Sequence, residues 1–246
     1  GGALPRDGKV LIINNGAYGA RMVRMCKVAG IPHSVLAYAE NQPAKPEEVA
    51  VALMDDSAIT HVAAGHLETT SGLVNPIDEI GEVAFRFQKQ YIVDAMASFG
   101  GMAMDIEHSR VDWLISSANK CLEGVPGFTF VLARLSCLEK CAGYARSLSL
   151  DLYDQWEYYR RVGQFRFTPP VQALLAFHQA LLELDAEGGV KARAARYGAN
   201  YQALITAMRS MGFSEYVAPE NQGSIITTFR YPEDPAFDFD VFYRRL

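Results

Sequence analysis

Lys120 is the residue of this chain with the strongest potential for nucleophilic chemistry. It follows an apolar run at residues 111–116 by a short polar turn and precedes Gly124-Val125-Pro126-Gly127, which cannot form a regular helix. Most lone lysines are solvated surface residues, and that is the plain alternative here. A lysine held among serines, an asparagine and a glycine-rich loop is instead partly desolvated, which makes its amine a good nucleophile.

Asp94 lies at the end of a second apolar run, Tyr91-Ile92-Val93. The plain alternative for this residue is a cap on the turn that begins at Ala95. A carboxylate at the end of a buried strand is costly, however, unless a cation or hydrogen bonds stabilise it. A protonated pyridine nitrogen is such a cation, and pairing with Asp94 would keep that ring an electron sink.

Two further residues have a functional and a structural interpretation of comparable weight. Tyr18 lies between Gly16 and Gly19, where an aromatic ring can lie flat over a planar ligand, although it can equally be a core aromatic. Thr168 precedes two prolines and is a natural helix N-cap. The same geometry can bind a phosphate, and both roles can hold at once.

The elements that must position these residues follow from the alternation of apolar runs and helical patterns. This alternation predicts an α/β fold with a mostly parallel sheet. The predicted strands cover residues 10–13, 34–38, 61–65, 91–94, 111–116 and 128–133. Polar segments follow four of these strands directly, at residues 14–19, 66–72, 94–96 and 116–120. Active sites of such sheets lie at the carboxyl ends of the strands.

Helix boundaries are indicated by capping residues and glycines. Asn75 is predicted to cap a helix that has Pro76 in its first position. A long helix is predicted over residues 169–187, ending at Gly188-Gly189, and a second long helix is predicted to end before Gly212.

The pattern changes in the last third of the chain. A strand at residues 224–229 and a helix from Asp238 onward predict the beginning of a smaller α+β domain. We therefore predict two domains, a large α/β domain over residues 1–165 and an incomplete small domain, with its linking helices, over residues 166–246.

Composition excludes several classes of function. The net charge of −5 argues against nucleic acid and anionic membranes as partners. No apolar run approaches the roughly 20 residues that span a bilayer, and the first residues lack the apolar segment of a secretory signal. The four cysteines have no metal-site spacing, and His61 and His66 lack a third ligand, so no metal is predicted. We expect free thiols and a cytoplasmic protein.

The chain resembles the class V aminotransferases along essentially its whole length, and within them the branch that acts on 2-aminoethylphosphonate. The motifs that carry the resemblance are Asn15-Gly16-Ala17-Tyr18-Gly19-Ala20-Arg21, Glu68-Thr69-Thr70-Ser71-Gly72, Asn75-Pro76-Ile77, Val93-Asp94-Ala95-Met96, Ser116–Cys121 with Gly124-Val125-Pro126-Gly127-Phe128, Arg146–Tyr153, and Phe167-Thr168-Pro169-Pro170. The resemblance implies the fold-type-I architecture and pyridoxal 5'-phosphate as cofactor.

The resemblance also implies roles for individual residues. Lys120 would bond covalently to the cofactor and shuttle a proton, and Asp94 would pair with the pyridinium nitrogen. The remaining implied contacts are Tyr18 and Met96 on the two ring faces, a hydroxyl of Thr69–Ser71 on the ring oxygen or the substrate, Asn119 beside the cofactor phosphate, and Thr168 at the phosphate of a neighbouring subunit. That last contact implies a homodimer with shared active sites. Arg21, Arg146 and Arg166 are candidates for contacts with anions.

The implied reaction moves the amino group of 2-aminoethylphosphonate to pyruvate, which yields phosphonoacetaldehyde and L-alanine. Members of the family have a further segment before the first residue of this chain and continue beyond its last residue. We therefore expect the parent enzyme to be active and this chain alone to be poor or inactive. The alternatives are a class V alanine– or serine–glyoxylate or –pyruvate aminotransferase, and a non-catalytic truncated remnant.

Overall fold

The computed structural model describes residues 1–245. The strands are β1 (Lys9–Asn14), β2 (His33–Ala37), β3 (Ile59–Gly65), β4 (Leu67–Glu68), β5 (Leu73–Val74), β6 (Gln90–Asp94), β7 (Trp113–Ser117) and β8 (Thr129–Ala133). The helices are α1 (Ala17–Val28), α2 (Pro46–Asp55), α3 (Ile77–Arg86), α4 (Leu135–Leu138), α5 (Leu152–Val162), α6 (Val171–Glu187), α7 (Gly189–Ser210) and α8 (Phe239–Tyr243).

Six strands form one sheet in the order β2–β1–β3–β6–β7–β8, and β4 pairs with β5 in a short antiparallel ribbon. The first five strands of the sheet are parallel, with α1, α2 and α3 as crossover helices. Strand β8 runs antiparallel to β7, because residues 118–128 contain no helix and turn the chain straight back. All six predicted sheet strands are present, and the mostly parallel architecture is confirmed.

Apolar side chains cover both faces of the sheet. On one face, Val62, Val93 and Leu114 lie in a core that includes residues of α2 and α3. On the other face, Ile12 and Trp113 pack in a second core, against which α1 and α5 place partly buried side chains. This burial on both sides explains why the strands are continuous apolar runs rather than alternating patterns.

The predicted ends of the long helices are confirmed. Helix α6 ends at Glu187 and is followed by Gly188, whose φ of 106° lies in the left-handed region that glycine adopts without a steric penalty. Helix α7 ends at Ser210, shortly before Gly212. The short helix α8 begins after Asp238, whose side chain caps it by accepting a hydrogen bond from the amide of Val241.

Two predicted helix caps are wrong. Asn75 does not cap α3, because its side-chain oxygen already accepts hydrogen bonds from Asn15 Nδ2 at 2.7 Å and from the amide of Ala44 at 3.0 Å. Thr168 does not cap α6, which begins later, at Val171. A residue that precedes proline is pushed toward extended backbone, so the two prolines delay the start of this helix.

The predicted strand at residues 224–229 is also wrong, because the structure has no strand there. Phe229 makes only an isolated bridge to Glu215. The Gln222 side chain donates to the carbonyl of Ile226 at 2.6 Å, and so occupies a group that a neighbouring strand would pair. The division into domains at residue 165 stays a prediction, and residue 246 of the second domain lies outside the described chain. Among residues 1–245, no helix combines the length and the apolarity that a membrane crossing requires.

Candidate active site

The polar segments that follow the strands converge at one edge of the sheet. Strands β1, β3, β6 and β7 are parallel neighbours, so their carboxyl ends lie side by side. The amide of His66 donates to the carbonyl of Asp94, and the amide of Ala95 donates to the carbonyl of Ile115, each at 2.9 Å. These bonds join the end of β3 to the end of β6, and the end of β6 to the end of β7. The structure thus brings together the strand-end segments in which the sequence predicted an active site.

Lys120 lies in the turn between β7 and β8 and is half-buried. Its Nζ is 5.3 Å from the centroid of the Tyr18 ring, on the first turn of α1. Within the described residues Nζ makes no hydrogen bond, so the amine is free to react. The two residues lie about a hundred positions apart in the chain, and only the sheet order brings them together.

Asp94 is half-buried at the end of β6. Its Oδ1 accepts a hydrogen bond from the amide of Met96 at 2.9 Å, so the predicted turn cap is present. Burial raises the pKa of the Asp94 carboxyl above its ordinary value, and it outweighs the lowering caused by the Met96 amide and by the positive charges of Lys120 and Arg21. The carboxylate therefore lacks a sufficient cation, and a protonated pyridine nitrogen would supply one.

Ser117 provides a second observation that fits a bound ligand. The residue is 6% exposed at the carboxyl end of β7, and its Oγ has no hydrogen-bond partner among residues 1–245. A buried hydroxyl without a partner costs free energy, and a polar group of a bound molecule would remove that cost. The segment was predicted to lie at the site, but the sequence did not single out this residue.

Glu68 is a second site residue to which the sequence assigned no role of its own. Its carboxylate is 3% exposed and accepts hydrogen bonds from the amides of Tyr18 and Gly19, each at 3.4 Å. It also accepts from Thr70, at 3.0 Å from the amide and 2.6 Å from Oγ1. The first amides of a helix lack partners within the helix and attract negative charge. Glu68 therefore caps α1 from strand β4, which is distant in sequence, and holds the position of Tyr18.

Gly16 makes this approach of Glu68 possible. A Cβ at Gly16 would lie 2.5 Å from Cγ and Cδ of Glu68, which no side chain tolerates. The requirement for glycine beside Tyr18 is therefore steric, rather than a matter of space for a ligand alone.

The hydroxyls of the Thr69–Ser71 segment differ in the hydrogen bonds that they make. Ser71 is buried, and its Oγ accepts a 3.4 Å hydrogen bond from the amide of Leu73. Thr70 Oγ1 donates to Glu68 and accepts from the amide of Ala17 at 2.9 Å. Thr69 is half-buried and makes no side-chain hydrogen bond to the rest of the described chain. The proton of the Ser71 hydroxyl and the whole Thr69 hydroxyl are thus left for a ligand.

The other predicted contacts divide into those near Lys120 and one elsewhere. Met96 is half-buried in the turn that Asp94 caps, and Asn119 is exposed beside Lys120. Thr168 is exposed in the connection between α5 and α6, and its side chain makes no hydrogen bond to the strand-end residues that the structure describes. The structure of one chain therefore does not bring Thr168 into the site.

The three arginines predicted to contact anions lie in different surroundings. Arg146 donates to the backbone carbonyls of Gly1, Leu4, Pro5 and Arg6. Arg166 is paired with Asp154. Arg21 is exposed, and its guanidinium lies 4.6 Å from the centroid of the Tyr18 ring. Of the three, Arg21 is therefore the one that lies beside the site.

The residues of this arrangement fit part of a pyridoxal-phosphate site. The Lys120 amine is available for covalent attachment, and the Tyr18 ring lies beside it. The Asp94 carboxylate, which lacks a sufficient counter-cation, lies on β6, the strand that pairs with β7. The strand-end segments add hydroxyls, and the exposed guanidinium of Arg21 lies beside the same aromatic ring. Such a set can bind a planar cationic ring and move a proton at the carbon next to it.

Comparison with known proteins agrees with this chemistry. The sequence model of the family "Aminotransferase class-V" matches residues 2–236. The chain is 52% identical, over 249 aligned residues, to the 2-aminoethylphosphonate–pyruvate transaminase of Salmonella typhimurium. The alignment covers 100% of this chain and 67% of that protein, so the chain spans about two thirds of the relative's length.

Solved structures show the same fold. The alanine–glyoxylate aminotransferase of Nostoc sp. superposes with a TM-score of 0.89 at 24% identity, covering 99% of this chain and 64% of that one. The pyridoxamine–pyruvate aminotransferase of Mesorhizobium loti superposes with a TM-score of 0.87 at 28% identity, covering 97% of this chain and 62% of that one. The chain belongs to the class V aminotransferase family, whose members are fold-type-I enzymes that depend on pyridoxal phosphate.

Proposed function

We propose that this chain carries the active site of a transaminase that moves the amino group of 2-aminoethylphosphonate to pyruvate. The products would be phosphonoacetaldehyde and L-alanine. The observation that carries the chemistry is the position of Lys120 Nζ, 5.3 Å from the Tyr18 ring, at a sheet edge that also holds Asp94. The 52% identity to a transaminase named for this donor and acceptor supports the choice of substrates.

The site residues divide the work of holding the cofactor. Lys120 would bond to it covalently, Asp94 would hold a proton on the ring nitrogen, and Tyr18 would cover one ring face. Met96 would pack the opposite face, while Asn119 would lie beside the phosphate. Thr69 or Ser71 would donate to the ring oxygen or to the substrate. When bound, pyridoxal phosphate supplies an electron-withdrawing ring that stabilises negative charge on the neighbouring carbon.

Proton transfer falls to Lys120. With its Nζ not bonded to the cofactor, Lys120 would take the proton from the amine-bearing carbon of 2-aminoethylphosphonate. In the second half of the reaction Nζ returns a proton to carbon 2 of the pyruvate skeleton. Asp94 keeps the ring nitrogen protonated through both halves, and this electrostatic contribution is expected to be large in a poorly hydrated site.

Arg21 is the cation that we assign to the anionic end of the substrate. Its guanidinium is exposed and lies over the Tyr18 ring, whereas Arg146 and Arg166 are engaged in structural contacts. A planar guanidinium suits the oxygens of a phosphonate or a carboxylate.

The proposed active form is a cytoplasmic homodimer in which Thr168 binds the cofactor phosphate of the neighbouring subunit. Thr168 is exposed, and its side chain makes no hydrogen bond within the described part of its own chain. Phe165 and Phe167 beside it are more than half exposed. Exposed aromatic residues around a polar group are typical of protein interfaces. The four cysteines are free thiols, which suits a reducing compartment.

Borohydride trapping tests the site, and a panel of amine donors tests the substrates. Purified chain is incubated with pyridoxal phosphate, reduced, digested and mapped by mass spectrometry. We expect a pyridoxyl group on Lys120 in the wild type and in Lys27→Ala, whose lysine is exposed on α1, and none at this site in Lys120→Ala.

Alanine formation from pyruvate is then measured with 2-aminoethylphosphonate, serine and other amines. Turnover with 2-aminoethylphosphonate supports the proposal. Alanine turnover with glyoxylate, but none with 2-aminoethylphosphonate, would assign the chain to another class V reaction. Label spread over surface lysines, with none on Lys120, would mean that the chain is a non-catalytic remnant.

A further inference from the structure

The turn that carries Lys120 is held by its own backbone and by helix α7. Within residues 118–124, the amide of Gly124 donates to the carbonyl of Ala118 at 2.9 Å, and the amide of Glu123 donates to the carbonyl of Lys120 at 2.8 Å. Glu123 has a φ of 58°, which is an unfavourable conformation for a residue with a side chain. A turn that contains such a residue needs external contacts to keep this shape.

Arg193 provides the main external contact. This arginine of α7 is 2% exposed, and its Nη1 donates to the carbonyl of Cys121, the residue after Lys120, at 2.9 Å. Its Nε and Nη2 donate to Oε2 of Glu187 at 2.9 and 2.8 Å. A buried guanidinium is costly unless its donors are satisfied in this way. The planar fork of Arg193 therefore joins the end of α6 to the backbone next to Lys120.

Glu123 is held from the same helix. Its Oε1 accepts hydrogen bonds from Tyr197 Oη at 2.7 Å and from Arg196 Nη2 at 2.9 Å. Arg196 also donates to Glu187 at 2.8 Å, which closes the network. Arg196 and, to a smaller extent, Arg193 donate hydrogen bonds to Glu187 that lower the pKa of its carboxyl to about 2. Glu187 therefore stays charged at neutral pH.

The same turn is also joined to the segment that follows Asp94. The Sγ of Cys121 donates to the carbonyl of Ala97 at 3.3 Å. A Cβ at Gly101 would lie 2.9 Å from this Sγ and 2.8 Å from the Tyr197 ring, so the three residues are in close contact. Helix α7, the turn that carries Lys120 and the segment that follows Asp94 therefore pack against one another.

We propose that Arg193 is a positioning residue that sets where Lys120 Nζ lies relative to the Tyr18 ring and Asp94. Because Nζ has no hydrogen bond among residues 1–245, its place depends on the backbone from which the side chain extends. Arg193 holds that backbone one residue away. The inference rests on the proposed function of Lys120. It assigns no contact between Arg193 and the cofactor or the substrate.

Arg193→Lys tests the inference, because a lysine keeps the charge but cannot donate to Cys121 and Glu187 in the same planar geometry. Arg209→Lys is the matched control, since Arg209 lies on the same helix and bonds Glu215 Oε1 at 2.9 Å, away from the Lys120 turn. Hydrogen exchange of the Glu123 and Gly124 amides is measured without cofactor. The rate and yield of borohydride-trapped pyridoxyl label on Lys120 are measured with it.

We expect Arg193→Lys to exchange both amides about tenfold faster than wild type and to label Lys120 at least tenfold more slowly, because small displacements of a reacting group can cost roughly a hundredfold in rate. Arg209→Lys is expected to change neither. Equal exchange in Arg193→Lys and wild type, or faster exchange with equal labelling, overturns the inference. A wild-type chain that does not label Lys120 overturns the proposed function itself. Equal exchange in Arg193→Lys, or faster exchange with equal labelling, leaves that function intact.

Tyr197→Phe covers the case in which Arg193→Lys fails to fold. This change keeps the ring against Gly101 and removes only the hydrogen bond to Glu123. We expect Tyr197→Phe to exchange the Glu123 and Gly124 amides about threefold faster than wild type and to label Lys120 about threefold more slowly. No change in exchange or labelling in Tyr197→Phe, when Arg193→Lys is unfolded, counts against the inference.

Discussion

The carboxylate of Glu68 accepts a hydrogen bond from the backbone amide of Tyr18 at 3.4 Å, so an acid on the short strand β4 holds the aromatic residue on the first turn of α1. The neighbouring amide of Gly19 donates to the second oxygen of the same carboxylate. Four donors converge on this buried acid, two from α1 and two from Thr70. The position of Tyr18 relative to Lys120 therefore depends on Glu68.

Glu68→Ala is expected to lower the free energy of unfolding by about 2 kcal/mol, because it leaves buried donors without an acceptor at the start of α1. Urea unfolding followed by circular dichroism measures the change. Glu79→Ala is the control, since Glu79 is an exposed acid in the first turn of α3 and its loss is expected to cost at most about 0.5 kcal/mol. Equal losses in the two variants would show that the hydrogen bonds to Glu68 contribute no more stability than an exposed acid does.

Asp94→Asn is expected to separate stability from activity. Burial raises the pKa of Asp94, so this group favours the folded state fully below its ordinary pKa, and its contribution is lost as pH rises through the raised value. Asparagine does not ionise, so it removes the loss of stability at high pH. Its side-chain oxygen can still accept the hydrogen bond from the Met96 amide. The cofactor-free variant should therefore be at least as stable as wild type at pH 7, and no more stable at pH 3.

The same variant is expected to transaminate about 10²- to 10⁴-fold more slowly, because the ring nitrogen loses its ionic partner. Denaturant unfolding at the two pH values and a single-turnover measurement of the amine half-reaction check the two effects. Activity within a factor of three of wild type would remove Asp94 from the assigned role.

Ser117→Ala tests whether the unpartnered hydroxyl awaits a ligand. Without cofactor, the variant is expected to be as stable as wild type or slightly more stable, since the hydroxyl has no partner to lose. With cofactor, the dissociation constant of pyridoxal phosphate should rise about 3- to 10-fold, which corresponds to about one hydrogen bond. Ser116→Ala is the control, because Ser116 Oγ donates to the carbonyl of Ala95 at 3.5 Å. A cofactor affinity that is lower in Ser116→Ala than in Ser117→Ala would contradict this assignment.

Most of the sheet and part of the site could be predicted from the sequence. The strands were predictable because burial on both faces leaves continuous apolar runs, and the convergence of Tyr18, Asp94 and Lys120 follows from their places at strand ends. Local patterns of residues carry this information directly. The order of the strands then brings the strand ends together.

The contacts that were missed join residues far apart in the chain. Glu68 caps a helix that begins some fifty residues earlier, and Arg193 bonds a carbonyl more than seventy residues away. Asn75 has a typical N-cap residue type, but a tertiary contact with Asn15 takes its side chain. Propensity describes local competition for hydrogen bonds, and such long-range partners override it.

Two buried histidines are expected to make the fold sensitive to mild acid. Burial lowers the pKa of both His61 and His66 to about 4. A group with a lowered folded-state pKa gives its full stability above its ordinary value near 6.5, and that stability is lost as pH falls from 6.5 toward 4. The free energy of unfolding should drop by roughly 3 kcal/mol per histidine over this range. His66→Gln should reduce the drop by about half, whereas an unchanged pH profile would show that the pKa of His66 is the same in the folded and unfolded states.

Mixed subunits test the assignment of Thr168 to the neighbouring active site. Lys120→Ala and Thr168→Ala are each expected to be nearly inactive as homodimers, the first for lack of the reacting amine and the second through weakened phosphate binding. In a mixed dimer, one site has Lys120 from one subunit and Thr168 from the other, so it is complete. Mixing the variants after partial unfolding and refolding should restore up to about a quarter of wild-type activity, since half of the dimers are mixed and each has one complete site. Co-refolding Lys120→Ala with a Lys120→Ala, Thr168→Ala double variant is the control and should restore none. Activity of Thr168→Ala alone equal to wild type, or no recovery in mixed dimers isolated by size and tag, would place Thr168 outside the site.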